Sequence, residues 1–217
     1  NGVDLRRFDP GRFSQEQRSQ FRAALGVGAQ DVLFFSAGRI VCEKGFAELF
    51  EAHERAVRQN PKIRLAIAGP EDIERGLGID RQMTDRARDN GVLLLAERSD
   101  MPELFAASDV VVLPSWREGI ARVLIEGAAM GKPLIASDAR GCRNVVQPGW
   151  GLVAPLRDAR AISAAMLELA GNERLRAEIG SHNAAAAREK FDLDRVLARV
   201  DAEYSRLLRA KGIDANA

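Results

Sequence analysis

Glu118, Arg122 and Glu126 recur every four residues, and their types suit the binding of a polyhydroxylated, charged molecule. On one helix, the 1.5 Å rise per residue would separate the two carboxylates by roughly 12 Å. An extended sugar–diphosphate–ribose group bridges a distance of that order, and a carboxylate accepts hydrogen bonds from a sugar or ribose diol. Taken alone, however, the spacing favours a solvated salt-bridge stripe on a surface helix, because such stripes are common.

The segments around these charges predict a strand–helix–strand unit. The apolar run Val110–Leu113 is typical of a buried strand, and another strand begins at Leu134. Between them, positions i, i+3, i+4, i+7 and i+8 form one buried helix face: Ile120, Val123, Leu124, Gly127 and Ala128. Gly131 and Pro133 end the helix. The two strands are therefore expected to be parallel, and the helix start offers unpaired N–H groups to a diphosphate.

The segment Gly38–Gly45 predicts a second anion-binding loop. It follows the β-favouring run Val32–Ala37 and precedes a helix that carries Phe46, Leu49, Phe50 and His53 at helical spacing. The cations Arg39 and Lys44, together with helix N–H groups, suit a phosphate. The Gly-Lys-Ser/Thr arrangement of a P-loop is missing. Judged by themselves, the two cations are expected to be surface residues of a loop.

The remaining pattern predicts an α/β fold. Further strands are predicted at Ile63–Ala68, Val92–Ala96 and Gly151–Val153. Helices are predicted at Ser14–Leu25, Glu71–Asn90, Pro102–Ala107, Asp158–Ala170 and Glu173–Lys190. A last helix, capped by Asp192 or Asp194, has one apolar face formed by Leu197, Val200, Tyr204, Leu207 and Leu208. We therefore expect one Rossmann-like domain of about six parallel strands with helices on both faces.

Composition excludes several classes of function. The 217 residues include 32 basic and 31 acidic side chains, so no net charge favours nucleic acid. No apolar run approaches the roughly 18 residues of a membrane span. Cys42 and Cys142 lack metal-ligand spacing and are expected to be reduced thiols of a cytoplasmic protein. The chain opens at Asn1, so we expect a fragment, and the absence of a targeting peptide carries no information.

Other catalytic patterns find no support. His53 and His182 have no partners in sequence for a triad or a metal site. The D-x-D pattern at residues 192–194 is expected to cap a helix. Asp138 and Arg143 follow a strand and could be site residues or loop-capping groups, of which the second is expected. Trp116 and Trp150 are predicted in loops near the expected cleft, where sugar stacking and interdomain packing both stay open.

The pattern PS-x-x-EG-x-x-x-x-x-x-E, followed by A-x-M-G-x-P-x-I-A-S-D, resembles the signature of retaining glycosyltransferase family 4, whose GT-B fold pairs two Rossmann-like domains across a cleft. The resemblance implies that Glu118 contacts the donor sugar and Glu126 the ribose. Gly119-Ile120-Ala121 stands where many members have Gly-Phe-Gly, and is expected beside the donor. REG-x-x-R and the following GC-R are most similar to bacterial surface-polysaccharide enzymes.

The loop GR-x-x-x-x-KG is similar to the element of that family that binds the donor diphosphate, which implies donor contacts for Gly38, Arg39 and Lys44. Glu97 and Arg98 fall where the family contacts the nucleobase, although Ala96 replaces the usual glycine. Glu118, Arg39 and Lys44 are thus the implied catalytic residues. Neither a metal nor another cofactor is expected.

The resemblance covers only the C-terminal half of such an enzyme. Residues 1–30 are expected to form a linker and its helix, residues 31–190 the nucleotide-sugar-binding domain, and residues 191–217 a helix and tail that pack toward an N-terminal domain. The expected activity is that of a retaining hexosyltransferase, inactive as this isolated domain. Its donor is a nucleotide-diphosphate sugar and its acceptor a glycan or lipid-linked molecule. The full enzyme is expected in the cytoplasm, with peripheral association at the inner face of the membrane.

Three alternatives stay open on sequence. A nucleotide-sugar epimerase or a phosphorylase would share the GT-B fold with different chemistry, and a phosphorylase would need pyridoxal phosphate. A non-catalytic nucleotide-binding or assembly module would belong to a different class of protein. Failure to bind any nucleotide would favour that module, whereas the presence of Glu118, Glu126, Arg39 and Lys44 argues against it.

Overall fold

A single six-stranded parallel sheet organises the chain, as described here from a computed structural model for residues 1–71 and 79–211. The spatial order of its strands is β3-β2-β1-β4-β5-β6. In chain order the strands are β1 (Val32–Ala37), β2 (Ile63–Ala68), β3 (Val92–Leu95), β4 (Val110–Leu113), β5 (Leu134–Ser137) and β6 (Gly151–Ala154). The order reverses between β1 and β4, and such a switch point opens a crevice at the carboxyl ends of the strands.

Helices connect these strands in the described ranges. They are α1 (Gln15–Ala24), α2 (Phe46–Gln59), α3 (Arg81–Asp89), α4 (Met101–Ala107), α5 (Arg122–Ala129), α6 (Arg140–Arg143), α7 (Ala159–Gly171), α8 (Glu173–Lys190) and α9 (Leu193–Ala210). Short 3-10 turns cover Pro10–Arg12 and Cys42–Lys44. A capping box between Ser14 and Gln17 starts α1, so the local sequence explains where this helix begins.

Alternate side chains of the strands fill two hydrophobic layers. In β1, Leu33 and Phe35 pack with residues of α4, α5 and α8, whereas Val32 and Phe34 pack with residues of α2, α3 and α7. Both layers are closed to water, which is why the strands are nearly continuous apolar runs. The predicted α/β sheet of six parallel strands with helices on both faces is confirmed.

Several predicted boundaries were wrong. The helix α5 begins at Arg122, so Ile120 precedes it, and Val123 is only partly buried while Ile125 is fully buried. β3 ends one residue early, and β6 extends one residue further. In the predicted helix over residues 71–90, Glu71 forms an isolated bridge with Ile40 and the helix occupies Arg81–Asp89. Residues 72–78 of that prediction lie outside the described residues.

The N-terminal segment meets the chain where α8 ends and α9 begins. The Val3 amide donates to the Phe191 carbonyl at 2.7 Å, and the Leu193 amide donates to the Val3 carbonyl at 3.1 Å. The α9 helix then leaves the body of the domain with no buried residue, so its apolar face is open, with Leu197 50% and Tyr204 65% exposed. Across residues 1–71 and 79–211, no helix has the length and apolar character needed to cross a membrane.

Candidate functional site

Two loops meet at the switch point of the sheet. The first, residues 38–45, leaves the carboxyl end of β1, and the second, residues 114–121, leaves the carboxyl end of the neighbouring β4. Because parallel strands place their carboxyl ends at one edge, residues separated by more than 70 positions become neighbours there. These are the two loops that carry Lys44 and Glu118.

Lys44 and Glu118 form a partly buried ion pair. The Lys44 Nζ lies 2.6 Å from Glu118 Oε1, and the buried Ser115 hydroxyl donates to the same oxygen at 2.8 Å. The side chain of Lys44 is 28% exposed and that of Glu118 only 10%. A carboxylate so shielded is held by its donors in one orientation, and the more exposed ammonium faces the open side of the pair. An incoming anion would therefore reach Lys44 first.

Close backbone contacts lock these loops in place. Gly45 has a φ of 72°, and a Cβ atom there would lie 2.1 Å from the Pro114 carbonyl oxygen. A Cβ on Gly141, at the start of α6, would lie 2.2 Å from the carbonyl oxygen of Glu118. Only glycine permits both approaches, so the first loop, the second loop and α6 interlock through their backbones.

An open cleft of about 610 Å³ lies beside the ion pair. Eight of the ten residues predicted to bind the donor line it: Gly38, Lys44, Glu97, Arg98, Glu118, Ile120, Ala121 and Glu126. Arg39 and Gly119 are exposed and do not line the cleft, although each is adjacent in sequence to a residue that does. The roles of all ten stay predictions, whereas their convergence at one edge is a structural finding.

Glu126 lies on the first turns of α5, facing the cleft, with its side chain 13% exposed. Burial raises the pKa of its carboxyl group, while the charges of Arg122 and Arg7 oppose that rise. Arg122 donates a long hydrogen bond of 3.4 Å to Glu126 Oε1, which leaves lone pairs for other donors. The residue can thus accept hydroxyl hydrogen bonds from a molecule in the cleft.

The predicted spacing of the two carboxylates along one helix was wrong. Glu118 lies in the loop before α5, where Lys44 and Ser115 hold it, so helical rise does not set its distance from Glu126. The cap residue of α5, Ala121, offers no side-chain hydrogen bond to the first turn. Two amides of that turn already bond within the chain, Arg122 to the Ile120 carbonyl at 3.1 Å and Leu124 to the Ala121 carbonyl at 3.0 Å. The helix start therefore offers the cleft mainly the positive end of its dipole.

The loop after β3 forms another wall of the cleft. Arg98 makes a bidentate ion pair with Asp100, at 2.7 and 2.5 Å, and this hydrogen bonding lowers the pKa of Asp100. Arg7, from the N-terminal segment, donates to the Ser99 carbonyl at 3.0 Å. Both arginines hold the loop in shape, and Arg98 is already engaged by a carboxylate in this conformation.

Sequence reasoning missed some residues of this site. Met101 and Val123 line the cleft, as does Arg122, and buried Ser115 bonds Glu118. The four-residue spacing from Glu118 and Glu126 drew attention to Arg122, but it did not place this residue in the cleft. No sequence pattern indicated Met101. Trp150 was expected near the cleft but is buried, with its ring edge-on to Phe191 and His182.

Arg143 pairs with Asp138 at 2.9 Å, while α6 has no side-chain cap, so the expected loop cap stays a prediction. The Asp192 side chain accepts from the Asp194 amide at the start of α9, so the D-x-D pattern is a helix cap as predicted. Both cysteines are free. Among the residues that the structure describes, no cluster of three or more His, Cys, Asp or Glu side chains could hold a metal ion.

A second concavity, of about 650 Å³, lies between α2 and α3. Most of its charges are paired with one another: Glu54 contacts Arg58 at 2.5 Å and Arg86 at 2.9 Å, and Arg55 contacts Glu51 at 2.6 Å. Glu48 and Arg157, which also line it, are engaged by Trp116. Such paired surface charges offer little to a ligand. The cleft at the strand ends, where a cation, two carboxylates and a helix start converge, is the better candidate.

The chain is similar to a known protein family and to several characterised proteins. The family model described as glycosyl transferases group 1 matches residues 17–185. The chain is 27% identical over 209 residues to the N,N'-diacetylbacillosaminyl-diphospho-undecaprenol alpha-1,3-N-acetylgalactosaminyltransferase of Campylobacter jejuni, covering 96% of this chain and 53% of that protein. It is 33% identical over 188 residues to the D-inositol 3-phosphate glycosyltransferase of Saccharomonospora viridis, covering 81% and 42%. The chain thus spans about half the length of these relatives.

The chain also superimposes on solved structures of other proteins. The crystal structure of HepE from Anabaena in complex with UDP superimposes with a TM-score of 0.85 at 25% identity, covering 95% of this chain and 56% of that one. The C-terminal domain of the group 1 glycosyl transferase LpcC from Francisella tularensis, at 20% identity, shares the fold with a TM-score of 0.76, covering 88% and 100%.

Proposed function

Since the chain belongs to the glycosyltransferase group 1 family, we propose that it is the donor-binding half of a retaining glycosyltransferase and binds a nucleotide-diphosphate sugar. One observation carries this proposal: Lys44, Glu118, Glu126 and the start of α5 converge on one cleft at the switch point of the sheet. The UDP complex of the Anabaena protein supports a nucleotide as ligand.

The arrangement assigns a part of the donor to each group. The diphosphate would lie between the Lys44 ammonium and the start of α5, where charge and helix dipole both favour an anion. The ribose would bond Glu126, and the transferred sugar would bond Glu118. Arg39, exposed on the loop that carries Lys44, would add a further positive charge.

Catalysis would consist mainly of electrostatic stabilisation. As the bond between the sugar and the diphosphate breaks, negative charge grows on the leaving group, and Lys44 with the α5 N-terminus would offset it. Because these groups supply positive charge, we propose that the transfer needs neither a metal nor another cofactor. Glu118 would orient the sugar so that the acceptor attacks with retention of configuration.

The acceptor would be a glycan or a lipid-linked molecule held by the other half of the enzyme. The name of the Campylobacter relative describes transfer to an undecaprenol-linked sugar, which supports this class of acceptor for the present chain. Peripheral association with the cytoplasmic face of a membrane belongs to the same proposal. Residues 1–217 alone would bind the donor without transferring it efficiently.

Calorimetric titration of UDP, GDP and ADP, and then of their sugars, tests the proposal. We expect one nucleoside diphosphate to bind, and Glu126→Ala to weaken it by about tenfold or more, the value of a hydrogen bond to a charged group. Glu168→Ala, which removes an exposed carboxylate from α7, is the matched control and should bind normally. Binding of none of the three would refute the proposal and favour a module without a donor. Normal binding by Glu126→Ala would refute the ribose assignment.

A further inference from the structure

Trp116 belongs to the second loop and bonds the first, without lining the cleft. Its backbone amide donates to the Glu43 carbonyl at 2.9 Å, next to Lys44 in the first loop. Its indole Nε1 donates to Glu48 Oε1 at 3.1 Å, on the first turn of α2. Two residues further along its own loop is Glu118. Trp116 therefore contacts the chain on both sides of Lys44 while it belongs to the segment that carries Glu118.

The hydrogen bond from the Trp116 indole satisfies a carboxylate that is partly buried. The second carboxylate oxygen, Glu48 Oε2, is buried and lacks a hydrogen-bond partner among the described residues, so the carboxylate depends on the bond that Trp116 donates to its other oxygen. Neither hydrophobic layer of the domain includes Trp116, which is only partly buried. Trp150, by contrast, packs within a layer. The bonds of Trp116 thus serve the loops and not the core.

A third segment covers Trp116 from outside. The Arg157 guanidinium carbon lies 3.8 Å from the centroid of the ring, within the range of a cation–π contact. Arg157 has a φ of 59°, the one positive value recorded for a non-glycine residue of the described chain. Few such residues adopt this conformation, so the surrounding structure must hold it. The loop after β6 therefore clamps the indole in place.

We propose that Trp116 is a positioning residue for the donor: it couples the loop of Lys44 to the loop of Glu118 and so sets the gap that receives the diphosphate. The inference rests on the proposed function, because it gives the Lys44–Glu118 pair a ligand. Trp116 acts through the backbone at Glu43 and the carboxylate of Glu48, and touches neither the cleft nor the donor. Its effect is specific to the diphosphate end, since Glu126 is held by α5 independently of these contacts.

The test compares UDP with UMP, or the equivalent pair for the base that the unmodified chain prefers. Trp116→Phe removes the indole N–H and keeps an aromatic ring. We expect UDP affinity to fall about fivefold or more and Tm to fall, since Glu48 loses its donor. UMP affinity should change little, because UMP lacks the second phosphate that the proposal assigns to Lys44. Glu48→Leu should reproduce the loss, whereas Glu48→Gln keeps an acceptor and should restore most of the affinity. Glu51→Leu, exposed on the same helix, is the control.

Each outcome decides the matter. Unchanged UDP affinity in Trp116→Phe, with normal binding by the unmodified chain, would overturn this inference and leave the proposed function intact. Equal losses of affinity for UDP and UMP would overturn the inference and show a merely structural role. Amide hydrogen exchange tests the coupling without any ligand: residues 42–48 and 114–118 should exchange faster together in Trp116→Phe. Faster exchange in one segment alone would refute the coupling.

Discussion

Replacing Lys44 by methionine and Glu118 by glutamine should change nucleoside diphosphate affinity in opposite directions. In the unliganded chain, the Glu118 carboxylate lies 2.6 Å from the Lys44 ammonium and competes with a diphosphate for it. Lys44→Met removes the cation that the diphosphate needs. Glu118→Gln keeps the shape and an acceptor for Ser115 but removes the competing negative charge. A diphosphate without a sugar should therefore bind more weakly to the first variant and more tightly to the second.

The magnitudes follow from the burial of the pair. A hydrogen bond to a charged group contributes about 1.5–3 kcal/mol, so Lys44→Met should weaken UDP about 10- to 150-fold. Lys44 is 28% exposed, so solvent screens the competition from Glu118, and the gain for Glu118→Gln should be about two- to fivefold. Lys44→Met should unfold more easily by about 1–3 kcal/mol, because the shielded Glu118 carboxylate loses a donor. Glu118→Gln keeps an acceptor and should lose less stability.

Calorimetry with UDP, and with the sugar nucleotide that the unmodified chain prefers, measures both effects. Glu118→Gln should lose most of the preference for the sugar nucleotide over UDP, since the residue that would hold the sugar has changed. Glu203→Gln, which breaks an exposed ion pair with Arg206 on α9, is the matched control. Equal losses of UDP affinity in the Lys44 and Glu118 variants would refute competition within the pair, as would normal binding by Lys44→Met.

Two further perturbations test the fold beneath the site. Burial lowers the pKa of His53 to about 4 from an unfolded value of 6.5, so the unfolded state binds the proton more readily. Neutral His53 therefore makes its full contribution to stability above pH 6.5, and this contribution is lost as pH falls toward 4. The free energy of unfolding should fall by about 2–3 kcal/mol between about pH 7 and pH 4.5 from this residue. The free energy of unfolding, measured with urea at both pH values, should decrease less in His53→Leu than in the unmodified chain or in His182→Asn. Equal decreases in all three would contradict this. Gly141→Ala should push the Glu118 backbone away, destabilise the fold by about 1–3 kcal/mol and weaken sugar-nucleotide binding. Gly171→Ala, where a Cβ meets open space, should alter neither thermal unfolding nor binding, and a Gly141→Ala variant that behaves like it would refute the steric argument.

Local patterns in the sequence predicted most of the fold. Apolar runs bounded by glycine or proline located β1, β2 and β4 to the residue, because a strand buried on both faces has no alternative to apolar side chains. The same periodicity misplaced the start of α5, since Ile120 continues the apolar spacing although the chain has not yet entered the helix. Apolar periodicity indicates which residues face the core, but it does not show where the preceding turn ends and the helix begins.

Sequence by itself determined the six parallel strands, the helices that cover them and the two charged loops at their carboxyl ends, because each depends on residues close together along the chain. Only the tertiary structure decided how those loops meet. The Lys44–Glu118 pair, the approach of Gly141 to Glu118 and the stack of Arg157 on Trp116 join segments separated by more than 20 residues. Such contacts depend on the order and twist of the strands, which bring distant segments to one edge of the sheet and which no local pattern specifies.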